Sequence, residues 1–189
     1  MRRDAARILD EYLAASARAG GEDAFDRLAR RWQPKLVAHA YRLSGDRETA
    51  RDAVQESWAD IVRSLPRLQD AAAFPAWAYR IVTRRVADQI KGRQRERTFT
   101  VRYAAEPAAQ SLSSAAIEAQ ADRSPLVRAI EALPQDQRAA VALFYLEEFS
   151  ISEIAIALSA PVGTIKTRLS MARRKLRLSL EERISHVET

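Results

Sequence analysis

Cysteine is absent from the chain. That excludes disulfides, thiolate zinc sites and a redox sensor built on a cysteine switch. Histidine is nearly absent: His39 and His186 lie far apart in sequence, so a metal or acid–base centre built on histidine is not expected. Long apolar runs are missing too. None approaches the roughly 20 residues of a membrane span. The start, M-R-R-D-A-A-R-I-L-D-E, lacks the apolar core of a secretory signal. The expectation is a cytoplasmic protein without membrane insertion. There is no G-x-x-x-x-G-K-S/T phosphate loop, no metal-ligand cluster and no Ser/Cys–His constellation, so neither enzymatic activity nor a cofactor is expected. Glycine (5) and proline (7) are few, and runs of β-branched residues are almost lacking, which points to an all-α fold. Lysine is scarce as well: only Lys35, Lys91, Lys166 and Lys175 stand among 31 basic residues.

What is present is positive charge and helical periodicity. The 189 residues carry a net charge of +6, which favours an anionic partner, nucleic acid ahead of a membrane surface. That length suffices for one medium domain or two small ones. The most informative stretch runs from Ser150 to Leu178. Ser150 followed by Glu153 is a capping box, so a helix starts here. Ile151, Ile154, Ala155 and Leu158 form one apolar face, and Pro161 and Gly163 are expected to stop the helix and turn the chain. A second helix is predicted from near Thr164, with Ile165, Leu169, Ala172 and Leu176 on one stripe. Thr167, Ser170 and Arg174 lie opposite, flanked by Lys166, Arg168, Arg173, Lys175 and Arg177. A short helix, a tight turn and a helix with an apolar back and a Thr/Ser/Lys/Arg front form the pattern of a helix-turn-helix. Small hydroxyl side chains leave room to approach base edges, and Arg and Lys can meet phosphates or guanine edges. The alternative is a basic amphipathic helix with a solvated face. It does not account for capping, turn and front-face chemistry occurring together.

The first half reads as a series of helices. Residues 4–18 carry Ile8, Leu9, Tyr12 and Leu13, and end at Gly20 and Gly21. Glu22 to Leu43 is a longer helix that Pro34 should kink or split. From about Arg47 to Leu65 a third helix has Ala50, Val54, Trp58, Ile61 and Leu65 on its inner stripe. Thr49, Asp52, Gln55 and Glu56 project on another side, either as a solvated face or as a docking surface for a basic partner helix. After a loop from Pro66 to Ala73, a fourth helix is predicted from about Phe74 to Arg93. It interleaves Trp77, Tyr79, Ile81 and Val82 with Arg80, Arg84 and Arg85. Aromatics among arginines can stack on unpaired bases and hold a backbone by charge; equally, Trp77 and Ile81 can be core beneath solvated arginines.

Residues 96–124 change character, with small and polar residues and no sustained period, and read as a flexible linker with a helical turn near Ala115 to Ala121. Two domains are therefore expected, 1–95 and 125–189. Ser124-Pro125 starts a helix carrying Leu126, Val127, Ile130 and Leu133. Gln135 to Glu148 forms the next, with Val141, Phe144 and Tyr145 inward. With the helix-turn-helix these make a small four-helix domain.

Three segments in this order resemble one family. They are D-A-V-Q-E-S-W at 52–58, F-x-A-W-x-Y-R-I at 74–81, and a long C-terminal run. That run passes from A-L-P-Q-D-Q-R at 132–138 through E-F-S-I-S-E-I-A at 148–155 to G-T-I-K-T-R-L-S-M-A-R-R-K-L at 163–176. The set is similar to the bacterial RNA polymerase sigma factors of the extracytoplasmic-function type, over nearly the whole chain. The resemblance implies docking of Asp52, Gln55 and Glu56 on a coiled coil of the beta-prime subunit of core RNA polymerase, with the beta subunit as a further partner. It implies minus-10 promoter recognition and melting by the Pro66–Ala73 loop and by Trp77, Tyr79, Arg80, Arg84 and Arg85. It implies minus-35 recognition by Thr164, Lys166, Thr167, Arg168, Ser170 and Arg174. The linker would run through the polymerase toward the RNA exit path. An anti-sigma partner and a monomeric free state are further implications. The chain departs from the family at Trp58, where Phe is frequent. It departs again at Arg84, where Asn is frequent, with Asp88 retained; the guanidinium adds charge beside the melting strand.

Two other readings share these features. A helix-turn-helix DNA-binding regulator acting without polymerase would have no need of the Asp52/Gln55/Glu56 patch or of the aromatic–arginine helix. A sigma-like interaction protein that does not initiate transcription would be favoured by loss of minus-10 function through Arg84.

Overall fold

In the computed structural model residues 2–103 and 124–187 are described, with side chains described over 5–94 and 124–181. Among the described residues the chain is all-α and forms two small helical domains. The first holds α1 (Arg2–Arg18), α2 (Glu22–Ser44), α3 (Arg47–Ser64) and α4 (Phe74–Tyr103), with short 3-10 turns at Leu65–Arg67 and Ala71–Ala73 between α3 and α4. The second holds α5 (Pro125–Glu131), α6 (Gln135–Tyr145), α7 (Ile151–Ala157) and α8 (Val162–Val187). No described helix is long and apolar enough to cross a membrane.

Helix α2 is the hub of the N-terminal half and packs against α1, α3 and α4. Its buried stripe, Leu28, Trp32, Leu36, His39 and Ala40, runs straight past Pro34. The expected kink or split does not occur as a break: α2 is continuous from Glu22 to Ser44. A proline removes one hydrogen bond from the helix, but the stripe is clamped on both sides of it by three neighbouring helices. Gly45 ends α2 with φ +74°, its amide donating to the Tyr41 carbonyl at 2.8 Å. This left-handed end is where glycine costs least. Asp46 then caps α3, its carboxylate accepting from the Thr49 amide at 2.8 Å.

The inner faces correct several expectations. On α1, Leu13 and Ala14 are buried, whereas Ile8 and Tyr12 are exposed. On α6, Ala139, Ala140, Val141 and Leu143 are buried while Tyr145 is exposed. Helix α4 outruns its expected end at Arg93 and continues to Tyr103, into the stretch read as linker. The helical turn expected near Ala115 to Ala121 lies outside the described residues.

The C-terminal half follows its local signals. Ser124 caps α5 with Pro125 at the first position. At α7 the capping box is complete: the Glu153 amide donates to Ser150 Oγ at 3.2 Å, and the Ser150 amide donates to Glu153 Oε2 at 2.7 Å. The turn between α7 and α8 differs from expectation. Ser159, with φ +49°, takes the left-handed position, and Gly163 lies inside the first turn of α8.

The two halves are also in contact. Helix α4 packs on α7 and α2 on α6, and the buried residues of both form one continuous cluster.

Candidate nucleic-acid interface

On α8, Ile165, Leu169 and Ala172 are buried against α5, α6 and α7, which turns the opposite side to solvent. At about 100° per residue, Lys166, Thr167, Ser170, Arg174 and Arg177 fall within one arc of about 100°. All five are exposed. Thr164 is exposed in the first turn, about 60° beyond Thr167 and outside this arc at about 100° per residue. The Thr167 hydroxyl donates to the Gly163 carbonyl at 3.1 Å, leaving its lone pairs outward. Arg168 is different. It sits toward the apolar side, half-buried, with its Nε 2.9 Å from Asp136 on α6. It braces the helix-turn-helix rather than lying free on the front, because its position on the helix points it back at the domain.

On the N-terminal half, Asp52, Gln55 and Glu56 are exposed along α3. They line an open groove of about 700 Å³ together with Gln89, Gly92 and Arg93 of α4. Thr49, expected on the same face, is buried. Its hydroxyl donates to Asp46 and accepts from Arg93, whose guanidinium lies 3.6 Å from Asp46. These bonds to Thr49, then the Arg93 charge, hold the Asp46 carboxyl below its ordinary range.

The fourth-helix residues separate into two kinds. Arg80 and Arg84 are exposed. Trp77 is half-buried and lines a cleft with Ser64, Arg67, Leu68, Gln69, Asp70 and Ala73. Arg84 lines a neighbouring groove with Arg63, Arg67, Arg85, Asp60 and Asp88. Tyr79, in contrast, is completely buried. Its ring stands edge-on to Trp32 at 5.6 Å, to His39 at 4.7 Å and to Phe149 of the other half at 5.6 Å. Burial, then the nearby Glu147 carboxylate, push its phenol well above the ordinary range. Tyr79 is thus core here and is not presented to a nucleic acid, because it falls on the inner stripe that packs on α2. Arg85 is paired with Asp60 and lies 3.5 Å from Glu56. The hydrogen bond to Asp60 raises the Arg85 pKa and lowers that of Asp60. Arg85 ties α4 to α3 rather than standing free. Arg67, Gln69 and Gln89 were not singled out by the sequence. The arginine and glutamine of the P-R-L-Q-D loop were the available signal for the first two.

An exposed Lys/Ser/Arg helix front on a helix-turn-helix, beside a second half with an aromatic cleft and an arginine-lined groove, is the surface chemistry of the nucleic-acid-binding class. The Sigma-70 region 2 family matches residues 28–96, and the Sigma-70, region 4 family matches residues 123–176. The chain is 30% identical over 183 residues to the ECF RNA polymerase sigma-E factor of Salmonella typhimurium, covering 88% of this chain and 91% of that protein. It is 31% identical over 155 residues to the ECF RNA polymerase sigma factor SigE of Mycolicibacterium smegmatis, covering 81% of this chain but only 60% of that longer protein. Among solved structures it resembles the sigma factor RpoE from Bartonella quintana, in complex there with the anti-sigma factor NepR. That match has 26% identity and a TM-score of 0.64, and covers 83% of this chain and 96% of that one. The chain belongs to the sigma-70 family and is a sigma factor of the extracytoplasmic-function type, a transcription initiation factor that directs RNA polymerase to specific promoters.

Proposed function

We propose that this sigma factor docks on core RNA polymerase through Asp52, Gln55 and Glu56, and reads promoters at two points. The exposed groove formed by these three residues with Gln89 and Arg93 is suited to the basic side of a helical coiled coil, as the family resemblance expects of the beta-prime subunit. The 125–189 domain takes the minus-35 element in the major groove, with Lys166, Thr167, Ser170 and Arg174 on the base edges and phosphates and Thr164 at the rim. The 1–95 domain takes the minus-10 strand, with Trp77 in the Ser64–Ala73 cleft and Arg80 and Arg84 on its backbone. The single observation that carries this reading is the exposed, one-sided front of α8 on a fully packed helix-turn-helix.

The action is binding, not covalent chemistry. Taking a base out of the stack costs a few kcal/mol, and stacking on an aromatic side chain returns about 1–3 kcal/mol. Capture therefore roughly balances melting, and phosphate contacts and the polymerase supply the rest. Affinity of the free protein for DNA is weak and falls steeply with salt. The protein works in the cytoplasm, is monomeric when free, and is restrained by an anti-sigma partner, the class of protein bound to the RpoE relative. Co-elution with purified core polymerase on a sizing column tests the docking. An equimolar complex for the native chain, and its loss in Asp52→Ala with Gln55→Ala at unchanged helicity, is the expected result. No complex for the native chain would favour a regulator that acts without polymerase.

A further inference from the structure

We propose that Arg18, the last residue of α1, is a positioning residue for minus-10 reading: it holds the loop backbone at Leu68 and Gln69, so that the cleft against Trp77 has its shape before DNA arrives. The inference rests on the minus-10 role proposed above for the 1–95 domain.

The loop between α3 and α4 supplies most of its own bonds, except at its middle. Pro66, with its fixed φ, sits in the first 3-10 turn, Leu65–Arg67, and the Leu68 amide donates to the Leu65 carbonyl at 3.0 Å. Asp70 organises the second turn, Ala71–Ala73. Its carboxylate accepts from the Ala72 amide at 2.9 Å, and its carbonyl accepts from the Ala73 amide at 3.2 Å. Leu68 and Gln69 lie between the two turns. A backbone carbonyl requires a donor from the protein or from water. Here both carbonyls accept from one nitrogen on another helix: Arg18 Nη1 lies 2.7 Å from the Leu68 oxygen and 2.8 Å from the Gln69 oxygen.

The brace is itself well seated. Helix α1 packs against both short turns. Just beyond Arg18 the helix is closed by Gly20 at φ +96° and by the Gly21 amide, which donates to the Ser16 carbonyl at 3.0 Å. Arg18 is half-buried and does not line the cleft, whose walls include Arg67, Gln69, Asp70 and Trp77 around an open space of about 420 Å³. The guanidinium therefore stands behind the loop and acts through it. Gln69 is the residue it acts on most directly, since the Gln69 carbonyl is drawn to α1 while the residue is exposed at the cleft. An unstacked base is read by stacking and by hydrogen bonds on its edge. Such bonds hold only over a narrow range of distance and angle, so a loop that wanders still binds a strand but reads its bases poorly.

Two measurements on the full-length chain test this. In the free protein, amide hydrogen exchange over residues 65–73 reads the hold. The Leu68, Ala72 and Ala73 amides should lose protection in Arg18→Ala. Arg18→Lys should fall between, because an ammonium can still donate to these carbonyls but from a flexible stem without the planar fork. With core polymerase added, selection from a randomised single-stranded DNA pool reads base preference. Arg18→Ala should flatten the preference at the captured base about tenfold, within what one base-edge contact contributes. Affinity for core polymerase and for minus-35 duplex should not change, and Arg18→Lys should recover part of the preference. A merely structural role would lower the melting midpoint and weaken every affinity together, with the preference intact. Unchanged exchange in Arg18→Ala would overturn the hold, and faster exchange with an unchanged preference would overturn its part in reading. Trp77→Ala separates this inference from the one beneath it. If Trp77→Ala removes the preference and Arg18→Ala does not, the minus-10 reading stands and the role of Arg18 falls. If the native holoenzyme shows no preference at all, both fall.

Discussion

The two halves of this chain present their candidate DNA-facing side chains in opposite ways. In the C-terminal half one helix, α8, does the presenting. The apolar stripe of α8 is only as wide as Ile165, Leu169 and Ala172, and the basic front opposite it stays in water. In the N-terminal half, α4 is gripped by α2, α3 and, across the seam, α7. Its aromatic and basic residues are shared out among those contacts. Of the five residues in question, Tyr79 goes to the core, Arg85 to Asp60 and Trp77 to a cleft wall, while Arg80 and Arg84 stay exposed. A recognition face on a helix with one packed side can be read residue by residue. A face on a helix packed on several sides cannot, because each position has competing uses.

The largest expected effect breaks this comparison at its sharpest point. Tyr79→Ala should lower unfolding stability by about 3–5 kcal/mol, the cost of truncating a buried aromatic, read as a shift in the denaturation midpoint. Arg84→Ala should leave that midpoint unmoved and reduce promoter opening. A Tyr79→Ala protein that is as stable as the native one but defective in opening would return Tyr79 to the DNA-contacting set.

Next in size is the α8 front. Lys166→Ala or Arg174→Ala should cost about 1–3 kcal/mol on minus-35-dependent transcription where the side chain contacts a base. Arg168→Ala should instead show up mainly as lost stability of the C-terminal half, since its partner is Asp136. Transcription from templates with altered minus-35 sequences separates the cases: uniform loss across sequences marks a phosphate contact.

A third test uses pH. His39 is buried, its Nε2 2.9 Å from Thr83 Oγ1, and burial, then the Arg42 charge, push its pKa from 6.5 down to about 3. The unfolded chain takes up this proton near 6.5 and the folded chain does not. The contribution is therefore complete above pH 6.5 and declines as pH falls toward 3, by at most about 1.4 kcal/mol per pH unit. Asp46 and Asp60, both lowered, add a further loss below about pH 4, as the pH falls through their folded values. In His39→Gln the decline between pH 6.5 and 4 should flatten while the acid limb remains, as followed by urea midpoints across pH.

The smallest effect sharpens the comparison from the other side. Ser150→Ala removes the cap of α7 and should cost about 1 kcal/mol. It should also weaken minus-35 reading slightly, because α7 carries the short side of the helix-turn-helix. Calorimetric melting checks the first outcome and transcription from a minus-35-dependent promoter the second.

Much of the C-terminal site was legible because its signals are local. The Ser150/Glu153 box, the Ile165–Leu169–Ala172 stripe and the Ser124-Pro125 start all depend on neighbours within four residues. Even there, Arg168 was misplaced, since its partner Asp136 lies on another helix. The N-terminal patch of Asp52, Gln55 and Glu56 was legible as a shared exposed face. Its floor was not, because Gln89 and Arg93 come from α4. Pro34 was misleading: its cost is local, but three helices that hold α2 straight are not.

By itself the sequence determined the all-helical class, the capped starts of α5 and α7 and the basic front of α8, and its ordered motifs carried the family resemblance. The first three are matters of spacing along one helix or of composition. The tertiary structure alone decided which of the α4 residues stay in solvent, that Thr49 and Arg85 serve as ties, and that Glu147 and Phe149 meet Lys35 and Tyr79. The physical reason is the same in every case. A side chain's neighbours along a helix follow from a period of about 3.6 residues, whereas its partner on another helix depends on how whole faces pack.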